Sequence, residues 1–442
     1  MTGEWPTLTV NEIRDPGDRS IAIGPFGSRM KADSYVEKGV PVIRGNNISD
    51  TRDLTREFVF VSDETADELR SCNVYAHDLV FPHRGAIGQV AIVPSDGVER
   101  YMLSTSLMKL TCDRSRIDPK FVFYFFRSAR GRHALLQHAS TVGTPGIGQP
   151  LTSLRSIQLP VPPLPEQRAI GHILGTLDDK IELNRRLSET LEAIARALFK
   201  SWFVDFDPVR AKAEGATRVC PEAIAELFPD RLVESEVGDI PEGWGVGTLG
   251  DVAEHPRRGV RPDQIQLETP YIALEHMPKR CIALSDWGAG HGLESNKYRF
   301  NRGEILFGKL RPYFHKVGVA PVDGICSTDI VVVAPRATEW FGFVLGHVSS
   351  TEFVDFADAG STGTKMPRTS WNEMARYEVV LPPRSVAKAL STLIRPAISR
   401  LIAGIHESRT LAALRDEMLP RLIAGEVRVG TDERDERERA RA

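Results

Sequence analysis

The chain of 442 residues repeats itself, and where the repeat is clearest it has no gap. The stretch "GTPGIGQPLTSLRSIQLPVPP" (Gly143–Pro163) aligns with "GTKMPRTSWNEMARYEVVLPP" (Gly363–Pro383) at a single separation, 363 − 143 = 220. Gly143/Gly363, Thr144/Thr364, Pro162/Pro382 and Pro163/Pro383 are identical pairs, as are Phe121/Phe341, Phe123/Phe343 and Ala139/Ala359 at the same separation. Ile157/Tyr377, Leu159/Val379 and Val161/Leu381 keep their apolar character at every second residue, which predicts a strand with one apolar face in each half. Upstream, with small length changes, "DLVFPHR" (Asp78–Arg84) matches "EILFGKL" (Glu304–Leu310). "STSLMKL" (Ser104–Leu110) matches "STDIVVV" (Ser327–Val333), and "WPTLTVNEI" from Trp5 matches "WGVGTLGDV" from Trp244. Chance likeness among β-rich segments does not preserve register over such a span. A repeat this long is a duplicated domain rather than a solenoid unit.

Each repeat ends in a proline pair that opens a helix. Pro165 suits a first helical turn and Glu166 suits the positive end of the helix dipole. A seven-residue series follows: Ile170, Leu177, Asn184, Leu191 and Leu198, with Ile173, Lys180, Leu187 and Ile194 three places on. These are a and d positions of a coiled coil, with Asn184 setting register. The competing reading is an amphipathic helix laid on a globular core; the length of the series favours a long paired helix that ends before Asp207-Pro208. A second helix begins near Ser385 and stops near Pro420, and Pro396 kinks or divides it. Each helix has a partner surface inside the chain, the other helix. Antiparallel pairing would place the two globular halves at opposite ends. The fold class is α+β: two repeated α/β domains separated by two long antiparallel coiled-coil helices. The expected spans are a first repeated domain (1–163), a central spacer helix (164–207), a connector (208–242), a second repeated domain (243–383), a distal spacer helix (384–428) and a charged, frayed tail (429–442).

A formal net charge of −3 means that a nucleic-acid partner requires a local basic patch. The five cysteines are dispersed, odd in number and without C-x-x-C spacing, which fits reduced cytosolic thiols. The sequence "MTGEWPTLTV" has no apolar signal core, so the expected location is the cytoplasm. Motifs that carry chemistry are missing. "GSTGTK" (Gly360–Lys365) has the wrong spacing for a phosphate loop, and "GTPGIG" (Gly143–Gly148) precedes a strand instead of opening a helix. There is no Asp/Asn-Pro-Pro-aromatic motif of an adenine methyltransferase and no metal spacing among the histidines.

The run "LPVPPLPEQRAIGHILGTLDDKIELNRRLSETLEAIARALFKSWFVDFDPVRAKAEG" (Leu159–Gly215) resembles the central conserved region of Type I restriction–modification specificity subunits. "LFPDRLVESEVGDIPEGW" (Leu227–Trp244) resembles their entry into the second recognition domain, and "LRDEMLPRLIAGEVRV" (Leu414–Val429) their distal region. The resemblance covers nearly the whole chain. It departs at the second helix entry, where "LPPRSVAKAL" lacks the "PEQ" of the first. It implies a non-catalytic subunit with a target recognition domain in each half. Such a subunit reads a split, asymmetric site in double-stranded DNA and docks two adenine methyltransferase subunits, with motor-nuclease subunits able to join. No cofactor or metal is implied in this chain; S-adenosylmethionine, ATP and magnesium belong to the partner subunits. The rival readings are a self-sufficient methyltransferase or nuclease and a coiled-coil scaffold with no DNA role.

DNA contacts must come from loops of the two halves. In the first half the candidates are Arg29 and Lys31 in "GPFGSRMK", Arg44, Asn46 and Asn47 in "IRGNNIS", and Arg84 in "FPHRG". Arg and Asn suit bidentate contact with guanine and adenine edges. In the second half they are Arg257, Arg258 and Arg261 in "HPRRGVR", Lys309 and Arg311 in "FGKLRPYFHK", and Lys365 and Arg368 in "GTKMPR". The Arg257–Arg258–Arg261 cluster is the leading group, as phosphate anchors; a solvated surface is the alternative for any one of these residues. The shared Gly-Thr is read as a backbone turn. Partner contacts are assigned to Ile170, Leu177, Asn184, Leu191 and Leu198 and to the aromatic run Trp202, Phe203 and Phe206.

Overall fold

The computed structural model describes residues 5–429 apart from 27–28, 50–51, 53, 55–56, 141–142, 216–220 and 364. Beyond Val429 the expected charged tail lies outside the described residues. The chain forms two compact units, Met1–Lys180 with Leu411–Ala442, and Ile181–Thr410. Each long helix therefore contributes to both units.

In the first unit an antiparallel four-stranded sheet runs in the order Ile21–Ile23, Leu107–Leu110, Leu79–Pro82, Ala91–Ile92. A five-stranded sheet runs Tyr35–Val36, Val59–Val61, Val40–Ile43, Tyr101–Leu103, Asn73–Val74, with one parallel pair, Val40–Ile43 beside Tyr101–Leu103. Side-chain alternation shows how the layers stack. Leu79 and Phe81 enter a core with the helices Pro119–Arg127 and Ala129–Leu136, whereas Val80 between them enters a core with the five-stranded sheet. The four-stranded sheet is thus covered on both faces. That is why its strands read as continuous apolar runs.

The second unit repeats this plan. Its four-stranded sheet runs Ala253–Glu254, Ile330–Pro335, Ile305–Gly308, Val317–Val319. Ile305 and Phe307 face the helices Phe341–Val348 and Thr351–Ala359, and Leu306 faces the other sheet. That five-stranded sheet again centres on one parallel pair, Pro270–Ile272 beside Gly324–Cys326. The sequence repeat is therefore a repeat of topology.

The long helices, Leu164–Phe203 and Arg384–Ile423, have 40 residues each and begin 384 − 164 = 220 residues apart. They pair antiparallel within each unit. In the first unit Asp178 Oδ1 accepts from Arg415 Nη1 at 2.6 Å, and Ile170 and Leu174 share a core with Leu419, Leu422 and Ile423. In the second, Asn184 Nδ2 donates to Glu407 Oε2 at 2.9 Å and to Ser408 Oγ at 3.3 Å, while Asn184 Oδ1 accepts from Arg400 at 3.3 Å. Asn184 is a buried polar register mark, as its sequence position suggested.

Three features of the helices differ from the sequence expectation. Pro396 does not divide the second helix and Pro420 does not stop it. Pro396 lies on the exposed side, where water can satisfy the carbonyl one turn back, while Ile394, Ile398 and Leu401 hold the buried side. The buried seam of the first helix is not the seven-residue series. It runs Ile170, Leu174 and Asp178 in the first unit, then Asn184, Ser188, Glu192, Ala195, Phe199 and Trp202 in the second. Ile170/Ser188, Leu174/Glu192 and Asn184/Trp202 recur at a spacing of five turns of a straight helix, about 3.6 residues each, from which a strict heptad drifts by about 20° per repeat. Ile194 is accordingly 50% exposed, and Leu177, Leu191 and Leu198 flank the seam half-buried. The described part of the expected connector, 208–242, is folded: it holds the helices Asp207–Ala213 and Glu222–Ala225 and the hairpin Leu232–Ser235/Gly238–Pro241.

The missing "PEQ" also has a structural counterpart. In the first unit buried Gln167 accepts from Asp118 N at 2.7 Å and donates to Pro162 O at 2.8 Å, stitching the recognition domain to the helix entry. In the second unit Ser391 does this, accepting from Gly342 N at 2.9 Å and donating to Glu339 O at 2.6 Å.

Candidate DNA interface

In the first half the loops named from the sequence converge on one turn, the shared Ser-Thr. Ser104 N donates to Ile43 O at 2.9 Å, Gly24 N to Leu107 O at 2.8 Å, and His83 N to Ser106 O at 2.9 Å. The loops after Ile21–Ile23, Val40–Ile43 and Leu79–Pro82 therefore meet at Ser104–Ser106. A side chain at Gly24 would lie 1.8 Å from Ser104 O, so only glycine lets the first loop cross this turn. The "GTPGIG" loop is strapped on by the Arg84–Gly146 bridge and by Gly85 N donating to Pro145 O at 2.8 Å. His83 is buried, its Nε2 donates to Thr105 O at 3.1 Å, and its imidazole pKa is pushed down by burial.

The second half builds the same hub. Ser327 N donates to Ile272 O at 3.0 Å and Lys309 N to Asp329 O at 2.9 Å. The loop ahead of the last strand is strapped on by Arg311 N donating to Pro367 O at 2.7 Å, Thr369 N to Lys309 O at 3.1 Å, and the Leu310–Arg368 bridge. Four candidates, Lys309, Arg311, Lys365 and Arg368, are thus brought together. Arg311 Nη2 reaches Lys365 O at 3.5 Å, and Arg368 Nε pairs with Asp329 at 3.2 Å. Exposed Tyr313 lies on the same loop.

The remaining candidates separate. Arg29, Lys31, Asn46 and Arg84 are exposed, and Arg44 is half-buried beside Asn47. Asn47 is withdrawn as a base contact: it is fully buried, accepting from Arg44 N at 2.8 Å and donating to Glu57 O at 3.1 Å to close the turn. The arginine cluster divides. Arg257 is exposed and held at φ 47°. Arg258 turns away from the hub into a two-pronged pair with Glu304, 2.8 Å at each prong, and is withdrawn as a phosphate anchor. Arg261 is exposed but pairs with Asp263 at 3.2 Å.

The partner assignments need a larger correction. Ile170, Asn184, Trp202, Phe203 and Phe206 are buried in the chain's own cores and offer no surface. Trp202 packs edge-on against Phe228, with centroids 5.3 Å apart, and Phe203 and Phe206 pack on Trp244, each at 5.8 Å. Trp244 and Trp5 are repeat partners with the same task. Trp5 sits against Gly425 and under Arg428 at the end of the second helix, as Trp244 covers the end of the first.

The sequence reading missed Thr105 and Thr328, which are exposed at the centre of the two hubs, and Phe26, a ring 68% exposed on the loop with Arg29. The shared Ser-Thr was the available signal for the threonines. Among the described residues, no group of His, Cys, Asp and Glu is placed to hold a metal, and no helix is long and apolar enough to cross a membrane. Burial pushes up the thiol pKa of Cys72, Cys112, Cys281 and Cys326, that of Cys326 to about 12.

Comparison with known proteins gives this arrangement a context. Residues 26–193 match the model of the Type I restriction modification DNA specificity domain. The chain is 22% identical to the MjaIX Type I restriction enzyme specificity subunit of Methanocaldococcus jannaschii, over 95% of this chain and 93% of that one. It is 27% identical to the HindI specificity subunit of Haemophilus influenzae, over 77% of this chain and 84% of that one. In fold it is similar to the crystal structure of the S subunit of a Type I restriction–modification system from M. genitalium, with a TM-score of 0.60 at 13% identity, covering 96% of this chain and 97% of that one. Matched domain, relatives and duplicated fold agree: over nearly its whole length the chain is similar to the specificity subunits of Type I restriction–modification systems.

Proposed function

We propose that the chain is a specificity subunit that reads a bipartite, asymmetric DNA site, one half-site per hub, and is not itself catalytic. The observation that carries the reading is the pair of hubs. Both are built on the same Ser-Thr turn and the same four-stranded sheet, yet they present different side chains: Arg29, Lys31, Arg44, Asn46 and Arg84 in one, and Lys309, Arg311, Lys365 and Arg368 in the other. A duplicated reader with divergent loops addresses two half-sites of different sequence, as a symmetric dimer addresses a palindrome.

In this reading two adenine methyltransferase subunits dock on the chain and motor-nuclease subunits can join. S-adenosylmethionine, ATP and magnesium act on those partners, and the complex works in the cytoplasm. The target recognition domains are 1–163 and 243–383, and the helices are spacers. Replacing residues 1–160 with the corresponding segment of another family member, then sequencing methyladenine genome-wide, tests the reading. One half of the methylated motif changes and the other stays. A change in both halves, or in neither, refutes independent reading.

A further inference from the structure

Both halves carry a second shared feature, at the end of the four-stranded sheet away from the hub. Strand Leu107–Leu110 starts at Ser104–Ser106 and pairs its last residue, Leu110, with Leu79 and Ile21. The segment that follows therefore leaves at the far end, at least about 13 Å along the strand at roughly 3.3 Å per residue. There Arg114 and Arg168 line a cleft of about 390 Å³ with Asp118 and Leu164. An adjoining hollow of about 220 Å³ adds Lys120, His77 and His172.

The second unit has its cleft at the equivalent place, beyond the far end of strand Ile330–Pro335. Its volume is about 380 Å³ and its lining includes Thr338, Glu339, Arg384, Lys388 and Arg395. The two clefts correspond residue by residue at the separation of the repeat: Asp118 with Thr338, Leu164 with Arg384, and Arg168 with Lys388. A cation on the second turn of each long helix is thus common to both.

Both clefts are net basic. Asp118 is occupied in capping its helix, accepting from Lys120 N at 2.9 Å and Phe121 N at 3.1 Å. Glu339 faces Arg384 at 3.6 Å. Arg114, Lys120, Arg168, Arg384 and Lys388 are all exposed. The imidazole pKa of His77 is pushed down by its burial and then by Arg114 and Lys120 beside it, a sign of the positive potential there. DNA held at the hubs is at the wrong end of each sheet to reach these cations. A basic surface that occurs twice, in equivalent positions, fits two copies of one acidic partner.

We propose that the two repeat-related clefts each receive an acidic segment of a methyltransferase subunit, one copy per cleft. This rests on the reading that such subunits dock on the chain, and gives that docking a place and a chemistry.

The test uses the full chain with its cognate methyltransferase subunit and counts bound copies by native mass spectrometry. Arg114→Glu with Arg168→Glu should leave one copy bound, Arg384→Glu with Lys388→Glu should leave one, and all four changes should leave none. Arg168→Lys should keep two, because Lys388 holds the equivalent place. Should a charge reversal lower the melting temperature, Arg114→Gln with Arg168→Gln should still weaken uptake of one copy at least tenfold. Two copies bound with unchanged affinity in every variant would overturn the proposal and leave the docking reading intact. Two copies bound alongside weakened binding of a non-cognate DNA duplex would overturn it in favour of a nucleic-acid cleft. If the unaltered chain takes up no methyltransferase subunit, both fall together.

Discussion

Gly346 decides how the first long helix seats on the second recognition domain. It lies in the helix Phe341–Val348, and a side chain there would place Cβ 2.0 Å from Cδ2 and 2.2 Å from Cγ of Phe199. Carbon atoms sit comfortably at about 3.5–4.0 Å, so Gly346→Ala forces the ring back by roughly 1.5 Å or the two helices apart. The ring has nowhere to go. Phe199 is 4% exposed and boxed by Phe203 at 5.7 Å, Phe343 at 6.4 Å and His347 at 4.8 Å between centroids. Overpacking of this kind costs about 1–3 kcal/mol. The better helix propensity of alanine returns about 1 kcal/mol. The net loss for Gly346→Ala should be up to about 2 kcal/mol.

The compensating background makes the argument decisive. Phe199→Ala alone should cost about 3–5 kcal/mol through the lost ring and the cavity. In that background the clash is gone, and Gly346→Ala should stabilise by up to about 1 kcal/mol through propensity. The Gly346 effect therefore turns from a loss to a gain, a coupling of about 1–3 kcal/mol, where independent sites add to within about 0.5 kcal/mol. Urea unfolding followed by the fluorescence of Trp202 and Trp244, which lie in the same core, reads all four proteins. Equal effects of Gly346→Ala in both backgrounds would refute the packing account.

Three further outcomes can be measured directly. His347 is buried, and burial holds its imidazole pKa down at about 3, whereas an unfolded histidine protonates near 6.5. Unfolding therefore takes up a proton below about pH 6.5, and stability should fall by up to about 1.4 kcal/mol per pH unit as pH drops from there, less so in His347→Phe; parallel pH slopes in the two proteins would refute this. Asp178→Ala removes the carboxylate that accepts from Tyr124 Oη at 2.7 Å and from Arg415, and should cost about 3 kcal/mol, the low end for a buried pair because Arg415 keeps Asp416; a loss under about 1 kcal/mol in chemical denaturation would refute it. Arg257→Ala should reduce the salt slope of DNA binding by about 0.9, and Arg258→Ala, whose charge is committed to Glu304, should leave the slope alone.

The fold was legible where physics acts within a short window or where duplication left a register. The Pro pairs, the strands before them and both long helices follow from local signals, and the repeat identified the halves. What escaped involves partners distant in sequence. Asn47 looks like a free amide until Glu57 O is placed against it, and Arg258 looks like an anchor until Glu304 arrives. Trp202, Phe203 and Phe206 read as an interaction surface because a sequence does not say whether the matching apolar surface is in the same chain; here it is Trp244, Phe228 and Phe343. The seven-residue reading was drawn by Ile194 and Leu187, whereas the true seam admits Asp178, Ser188 and Glu192. Those polar groups are tolerated because Arg415, Asn184 O and Ile282 N satisfy them.

The two halves share the strands that make the frame and differ at the edges. The second sheet of the first half is extended by Tyr35–Val36, which adds to Val59–Val61. That of the second half is extended at the other edge by Gly259–Val260, which adds to Lys297–Phe300. In both, the extension is the continuation of the loop that leaves the first strand of the four-stranded sheet, the loop that carries Arg29 and Lys31 in one half and Arg257 in the other. The same loop is thus sent to opposite edges of an equivalent frame. An edge strand of two residues adds few ladder bonds, each worth about 1 kcal/mol net, so the frame does not depend on it. Exchanging residues 255–261 for the corresponding loop of another family member should therefore leave the second half folded and change the second half-site alone. Methyladenine sequencing would show the first half of the motif intact. A motif altered in its first half, or unaltered in both, would mean that the edge loops do not carry the difference between the half-sites. The reading would then have to rest on Lys309, Arg311, Lys365 and Arg368 at the hub itself.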